Sequence, residues 1–145
     1  MVSVSREPGQ SSREYVADQQ DQADGVPIVL PVDLPDGYDS GSDYGNINLD
    51  KRDEPYDTPA TVDGREVSFI PVEGVQGHDG LPAIQLCIED ANAKDAVCPS
   101  DPHAIHRRHG GALLTFYAAS DRDHDLSAWQ TVELTTDLNK VTWLH

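Results

Sequence analysis

The chain is 145 residues long, the size of one domain or of a smaller domain with a tail. It carries 26 acidic residues against 10 basic ones, a net charge of −16. Such a surface repels phosphate backbones and anionic lipid, which argues against nucleic-acid and polybasic membrane functions and favours cations, cationic partners or simply solubility at high salt.

No run of about 20 apolar residues is present, so no membrane-spanning helix is expected. The first residues, Met1 to Gln10, have no apolar h-region of the signal-peptide kind. Two compartments stay open on that evidence: the cytoplasm, or an extracytoplasmic setting for a mature secreted or membrane-anchored domain.

Residues 1–25 read as a disordered acidic tail or tether. Only Tyr15 and Val16 offer apolar anchorage, and ordering a residue costs roughly 1–2 kcal/mol that such a segment cannot recover. The folded domain is expected over 26–145. It opens with VPIVLPVDLPDGY, an apolar run punctuated by Pro27, Pro31 and Pro35. Proline lacks the N–H that a central strand donates, so this reads as an edge strand or an extended arm over a core. Asp36-Gly37 then makes a turn. Residues 38–59 read as a long polar connection, in which Tyr38, Tyr44 and Tyr56 are candidate anchors or ligand contacts.

Four further segments read as strands: 65–72, 82–89, 112–119 and 131–135, with 141–144 as a short last one. Asp63-Gly64 suggests a hairpin turn before the first of them. The alternation of Ile84, Leu86 and Ile88 against Gln85, Cys87 and Glu89 gives the 82–89 strand a buried and a less buried face. A short helix is expected at 101–109, where Ser100-Asp101-Pro102 offers an N-cap residue followed by proline at the first helical position and Gly110 or Gly111 can take the C-terminal left-handed position. A second is expected at 126–130. The spacing gives a mainly β fold, a small antiparallel sandwich-like or open-barrel domain with one or two short helices, with α+β as the alternative.

Several constellations are candidates for chemistry. His103, His106 and His109 recur every three residues, and a neighbouring pair on a helix has zinc-ligand character. A three-residue step turns about 60° on a helix, so the outer two imidazoles diverge and the three together are a poor site. Asp121, Asp123 and Asp125 evoke the calcium-loop spacing, but Leu126 stands where that loop needs glycine. No cofactor is expected, with calcium or zinc as the alternative. The sequence has no G-x-S-x-G, no recognisable cysteine nucleophile motif and no phosphate-binding glycine loop. Trp129 and Trp143 are core candidates; Trp129 is also a candidate ligand contact beside the tyrosines.

The two cysteines, Cys87 and Cys98, are expected to form a disulfide. Asp90-Ala91-Asn92 can begin a turn, and Ala96-Val97 can return beside the strand, bringing the pair within bonding range. Two cysteines with no odd thiol suit an oxidising compartment. The plan as a whole resembles many secreted or membrane-anchored bacterial domains, a likeness too generic to carry residues or activity across. The expectation is an extracytoplasmic, monomeric, non-catalytic module that binds a protein or another cell-envelope ligand. The alternative is a metal-binding protein or small hydrolase with its site near the 101–109 histidines.

Overall fold

A computed structural model of the protein describes residues 12–47, 60–71, 82–118 and 126–144. Among them the fold is mainly β, with one α-helix, α1 (Arg13–Asp21). The long strands are β3 (Tyr38–Ile47), β5 (Gly64–Pro71), β6 (Ile84–Asp90), β7 (Ile105–His109) and β8 (Ala112–Ala118). They form one antiparallel five-stranded sheet in the order β3-β5-β6-β8-β7. Short pairs accompany it: β1 (Ala23–Asp24) beside β4 (Ala60–Thr61), and β2 (Leu30–Pro31) antiparallel to β9 (Leu134–Thr135). No barrel closes among the described residues.

The register divides the residues of the sheet between two faces. Val67, Leu86, Phe116 and Ile105 stand in one row, and Phe69 and Ile84 in the next, all buried. This is the core face. Val26, Ile28, Val29 and Leu30 of the proline-punctuated arm join the same apolar cluster, as the sequence led us to expect of a segment laid over a core. Trp129, Val141 and Leu144 complete it from the C-terminal part of the chain. Trp129 sits at the centre, with the rings of Tyr38, Phe69 and Phe116 5.1, 5.2 and 5.4 Å from its own.

Order begins earlier than the composition suggested. Residues 13–21, expected within a disordered tail, are helical; residues 1–11 lie outside the described residues. Ser12 caps α1 through the N–H of Tyr15, and Val16 is fully buried. One apolar anchor would not hold such a helix, but two arginines do. Arg13 donates to the carbonyls of Leu138 and Val141 at 2.9 Å each. Arg65, buried on β5, donates to the carbonyls of Gln19, Gln20 and Val26 and to the Asn46 side chain. Those carbonyls lie in and just beyond the last turn of α1, where no intrahelical donor remains. Burial holds the Arg65 guanidinium below its ordinary pKa, while Asp24 pulls it back up.

Four local expectations give way to the sheet. The 101–109 segment is not a helix. Asp101 does initiate a turn, with Ala104 N–H donating to its carbonyl and His103 N–H to its side chain. From Ile105 the chain is instead the edge strand β7, joined to β8 through Gly110-Gly111 with Gly110 at φ +60°. Residues 38–47, expected as loop, form β3; an irregularity between Ser40 and Tyr44 breaks the alternation that would have marked the strand. Gly64 does not close a hairpin: it begins β5, paired with Ile47 and Glu89. Residues 141–144 are not a strand, although Thr142 N–H still donates to the Val32 carbonyl.

The opposite face of the sheet has another cover. Cys87, Thr115 and His106 stand in one row, and Glu89, Leu113 and Arg108 in the next. The segment after β6 is tied against this face at Cys87 by the Cys87–Cys98 disulfide, with S–S 2.07 Å and Cα–Cα 5.7 Å, while His106 and Arg108 stay exposed. Val97 N–H donates to the buried Glu89 carboxylate at 2.8 Å. The expected disulfide is present.

Candidate functional site

A groove of about 590 Å³ lies between the end of the arm and the segment around Trp129. Its geometry follows from local rules. In Pro35-Asp36-Gly37-Tyr38, the N–H of Tyr38 donates to the Pro35 carbonyl at 3.2 Å and Gly37 sits at φ +87°. That is the type II arrangement, with proline opening the turn and glycine at its positive-φ position. The turn leaves Asp36 exposed and sends Tyr38 down toward Trp129.

The facing wall is positioned by a cation. Arg107 of β7 donates to the main-chain carbonyls of Trp129 and Val132, fixing the 3-10 turn Ser127–Gln130 and the chain after it. Continuation of the β2–β9 pairing then brings the two walls side by side: Val32 N–H donates to the Glu133 carbonyl at 2.7 Å. Asp33 and Glu133 are thereby presented at the rim, and Asp33 accepts a hydrogen bond from the Thr142 hydroxyl.

The lining is chemically divided. Leu34, Pro35, Tyr38, Trp129 and Val132 supply apolar surface. Asp33, Asp36 and Glu133 supply carboxylates, all three on exposed residues, and among the described residues no lysine, arginine or histidine lines the groove. Tyr38 donates its hydroxyl to the Pro82 carbonyl at 2.7 Å, and burial raises its pKa above the ordinary value. It therefore presents a neutral ring to the groove at physiological pH.

Of the residues singled out from sequence, Tyr38 and Trp129 meet here, ring centroids 5.1 Å apart and nearly perpendicular. Trp129 is also core, stacked on Phe69 and Phe116 behind the groove. Tyr44 lies elsewhere, edge-on to Tyr15 of α1. Tyr56, Asp121, Asp123 and Asp125 lie outside the described residues. The rim carboxylates Asp33, Asp36 and Glu133 were not singled out in advance. For Asp33 and Asp36 the signal was present in the arm, where acids stand among the apolar and proline positions of VDLPDGY.

The histidines are separated by the strand that replaces the helix. His106 and His109 are three residues apart on β7, which turns their side chains to opposite faces of the sheet. His106 Nδ1 lies 3.2 Å from the Thr115 hydroxyl on one face, while His109 shares the other with Ala112. His103 precedes the strand, in the turn begun by Asp101. Among the described residues, no group of three or more His, Cys, Asp or Glu side chains is arranged to hold a metal ion.

A second cavity, of about 460 Å³, opens where Gly25 and Val62 approach the loop after β6. Its polar lining is mixed, with Lys94 among Asp63, Asp90 and Asp95. Compared with known protein families, curated proteins and solved structures, the chain matches none. The site rests on its own geometry.

Proposed function

We propose that this chain is a non-catalytic, extracytoplasmic binding module whose ligand is received in the groove between the arm and the Trp129 segment. The observation that carries the reading is the groove itself. It is concave and combines apolar lining with a small number of carboxylates on exposed residues, the usual composition of a ligand site. Its walls are fixed by the core beneath Trp129 and by Arg107, so a ligand would meet a preformed surface. The disulfide supports the compartment, because such bonds persist where thiols are not kept reduced.

The test is chemical-shift mapping on backbone amides with a panel of amine, sugar and short peptide probes. Perturbations are expected to concentrate at 33–38 and 128–133. Ala128 is exposed at the groove, so Ala128→Trp should fill it and abolish them without disturbing the core. Hits that cluster elsewhere and survive that substitution would remove the groove as the site. For the compartment, protein purified from its native source, unfolded and alkylated without reductant, should gain no adduct by intact mass; two adducts would overturn it.

A further inference from the structure

We propose that the groove recognises a long cationic side chain, arginine or lysine, presented by a partner protein; the inference rests on the binding reading above and names its ligand class. The argument begins with how the lining is divided. A bare metal ion needs several oxygen or nitrogen ligands converging on one point, and no such group exists among the described residues. An anionic ligand would meet Asp33, Asp36 and Glu133 with no cation among the described lining residues to receive it. A wholly apolar ligand would take water from those carboxylates and offer no donor in its place.

A lysine or arginine side chain matches both parts. Its aliphatic stem lies along apolar surface while its charged head stays at the wet edge. Here Leu34, Pro35, Val132 and the neutral ring of Tyr38 line the groove at half-buried positions, and the carboxylates belong to its exposed residues. The second cavity lacks this complementarity, since Lys94 stands among its acids. The whole chain adds long-range attraction: at a net charge of −16 it draws a basic partner toward the surface, and the groove selects the side chain that enters.

Net charge makes any polycation stick, so the test uses single side chains and a charge-matched control. The probes are the capped pentapeptides Gly-Gly-X-Gly-Gly with X as arginine, lysine, citrulline, norleucine or glutamate, titrated while backbone amides are followed. Arginine and lysine peptides should shift residues 33–38 and 128–133, with citrulline and norleucine about tenfold weaker and glutamate silent. The rim variant Asp33→Asn/Asp36→Asn/Glu133→Gln should weaken the arginine peptide about tenfold and leave citrulline unchanged. The control Asp63→Asn/Asp90→Asn/Asp95→Asn changes net charge equally at the second cavity and should alter arginine binding no more than about twofold. Unchanged unfolding midpoints would establish that both variants are folded.

Each other outcome removes something definite. Citrulline or norleucine binding the groove as tightly as arginine would overturn the cationic inference while leaving the groove as the site. Equal weakening by the two triple variants would assign the effect to net charge and overturn it as well. No perturbation at 33–38 or 128–133 by any of the five peptides would overturn the inference; the broader probe panel, run on the same sample, would then decide whether the groove reading falls with it.

Discussion

On the core face of the sheet, Val67, Leu86 and Phe116 lie under the arm and the Trp129 cluster, reached through apolar contact, with α1 adding Val16 and the hydrogen bonds of Arg13 and Arg65. On the opposite face, Cys87, Thr115 and Glu89 are nearly as inaccessible, yet two of the three are polar and the cover is a short loop. The first layer is held by burial, at roughly 25 cal/mol for each Å² of apolar surface removed from water. The second has little such surface to bury and is held by a covalent bond and the Glu89–Val97 hydrogen bond. Removing the means by which each cover is attached should therefore have different local consequences. The groove belongs to the first layer, so its shape should be indifferent to the fate of the second.

The largest effect is expected at Arg65, which secures the outer part of the core-face layer. Arg65→Met keeps much of the volume but leaves the carbonyls of Gln19, Gln20 and Val26 without this donor. The Val26 bond is buried and those to Gln19 and Gln20 are part-buried. At about 1–3 kcal/mol for a buried unsatisfied group and less for each of the others, a loss of roughly 3–5 kcal/mol in denaturant unfolding is expected. Hydrogen exchange should accelerate most at residues 13–28. Uniform acceleration across both faces would show that the two covers are one cooperative layer and break the comparison.

Removing the disulfide with Cys87→Ala/Cys98→Ala should cost about 3 kcal/mol in the chain-entropy picture for a closed loop of this length. Protection is expected to fall in residues 91–104 while α1 and the arm retain theirs. Amide shifts in 33–38 and 128–133 should stay as they are in the parent chain. If groove shifts move with the loop, the two faces are coupled through the sheet.

The two faces also differ in how far they could be read from sequence. The core strands β6 and β8 were legible because Ile84, Leu86 and Ile88 alternate cleanly, and the disulfide because a turn and a return fit between its cysteines. Helix α1 was not, because its anchors are Arg13 and Arg65, whose acceptors lie as far as 128 positions away in sequence. No local pattern encodes such a bond, although Ser12 with Glu14 in the following turn is a capping signal. At 101–109 the local signals were real but stopped at one turn; Ile105 pairing with Phe116 outweighed them, and the glycines closed a hairpin instead. For the groove, Tyr38 and Trp129 were legible as aromatics and the Asp36-Gly37 turn as a turn, but the meeting of the two rings also depends on Arg107, whose bonds to the Trp129 and Val132 carbonyls are set by the tertiary fold.

A smaller effect should come from Gly64, where the second cover presses closest. A Cβ there would meet the Ile88 carbonyl and a Val97 methyl at 3.0 Å each, and the Ile47 side chain at 3.1 Å. Gly64→Ala should cost about 1–2 kcal/mol through overpacking. Part of this should be regained in Gly64→Ala/Val97→Ala, because the loop can yield while the sheet carbonyl cannot. No recovery in the double variant would place the strain within the sheet rather than beneath the loop.

The smallest effect is electrostatic and compares one tyrosine on each face. Tyr38 has its pKa raised by burial alone; Tyr117 has its pKa raised by burial first, then by the nearby charges of Glu66 and Asp101. Both folded values stand above the ordinary 10.0, so the unfolded chain loses these protons first. Their contribution to stability is thus intact below about pH 10 and is lost as the pH rises through the folded values. Salt should separate the two, since at 1 M the screening length falls to about 3 Å and weakens charge–charge terms but not desolvation. Phenolate absorbance, read as the difference between the parent chain and Tyr38→Phe or Tyr117→Phe, would follow each ring. The Tyr117 ionisation is expected to move down in 1 M sodium chloride while that of Tyr38 holds. If both move together, charge acts on the buried aromatic cluster as strongly as on the open face, and the division between an apolar layer and a polar one fails at that point.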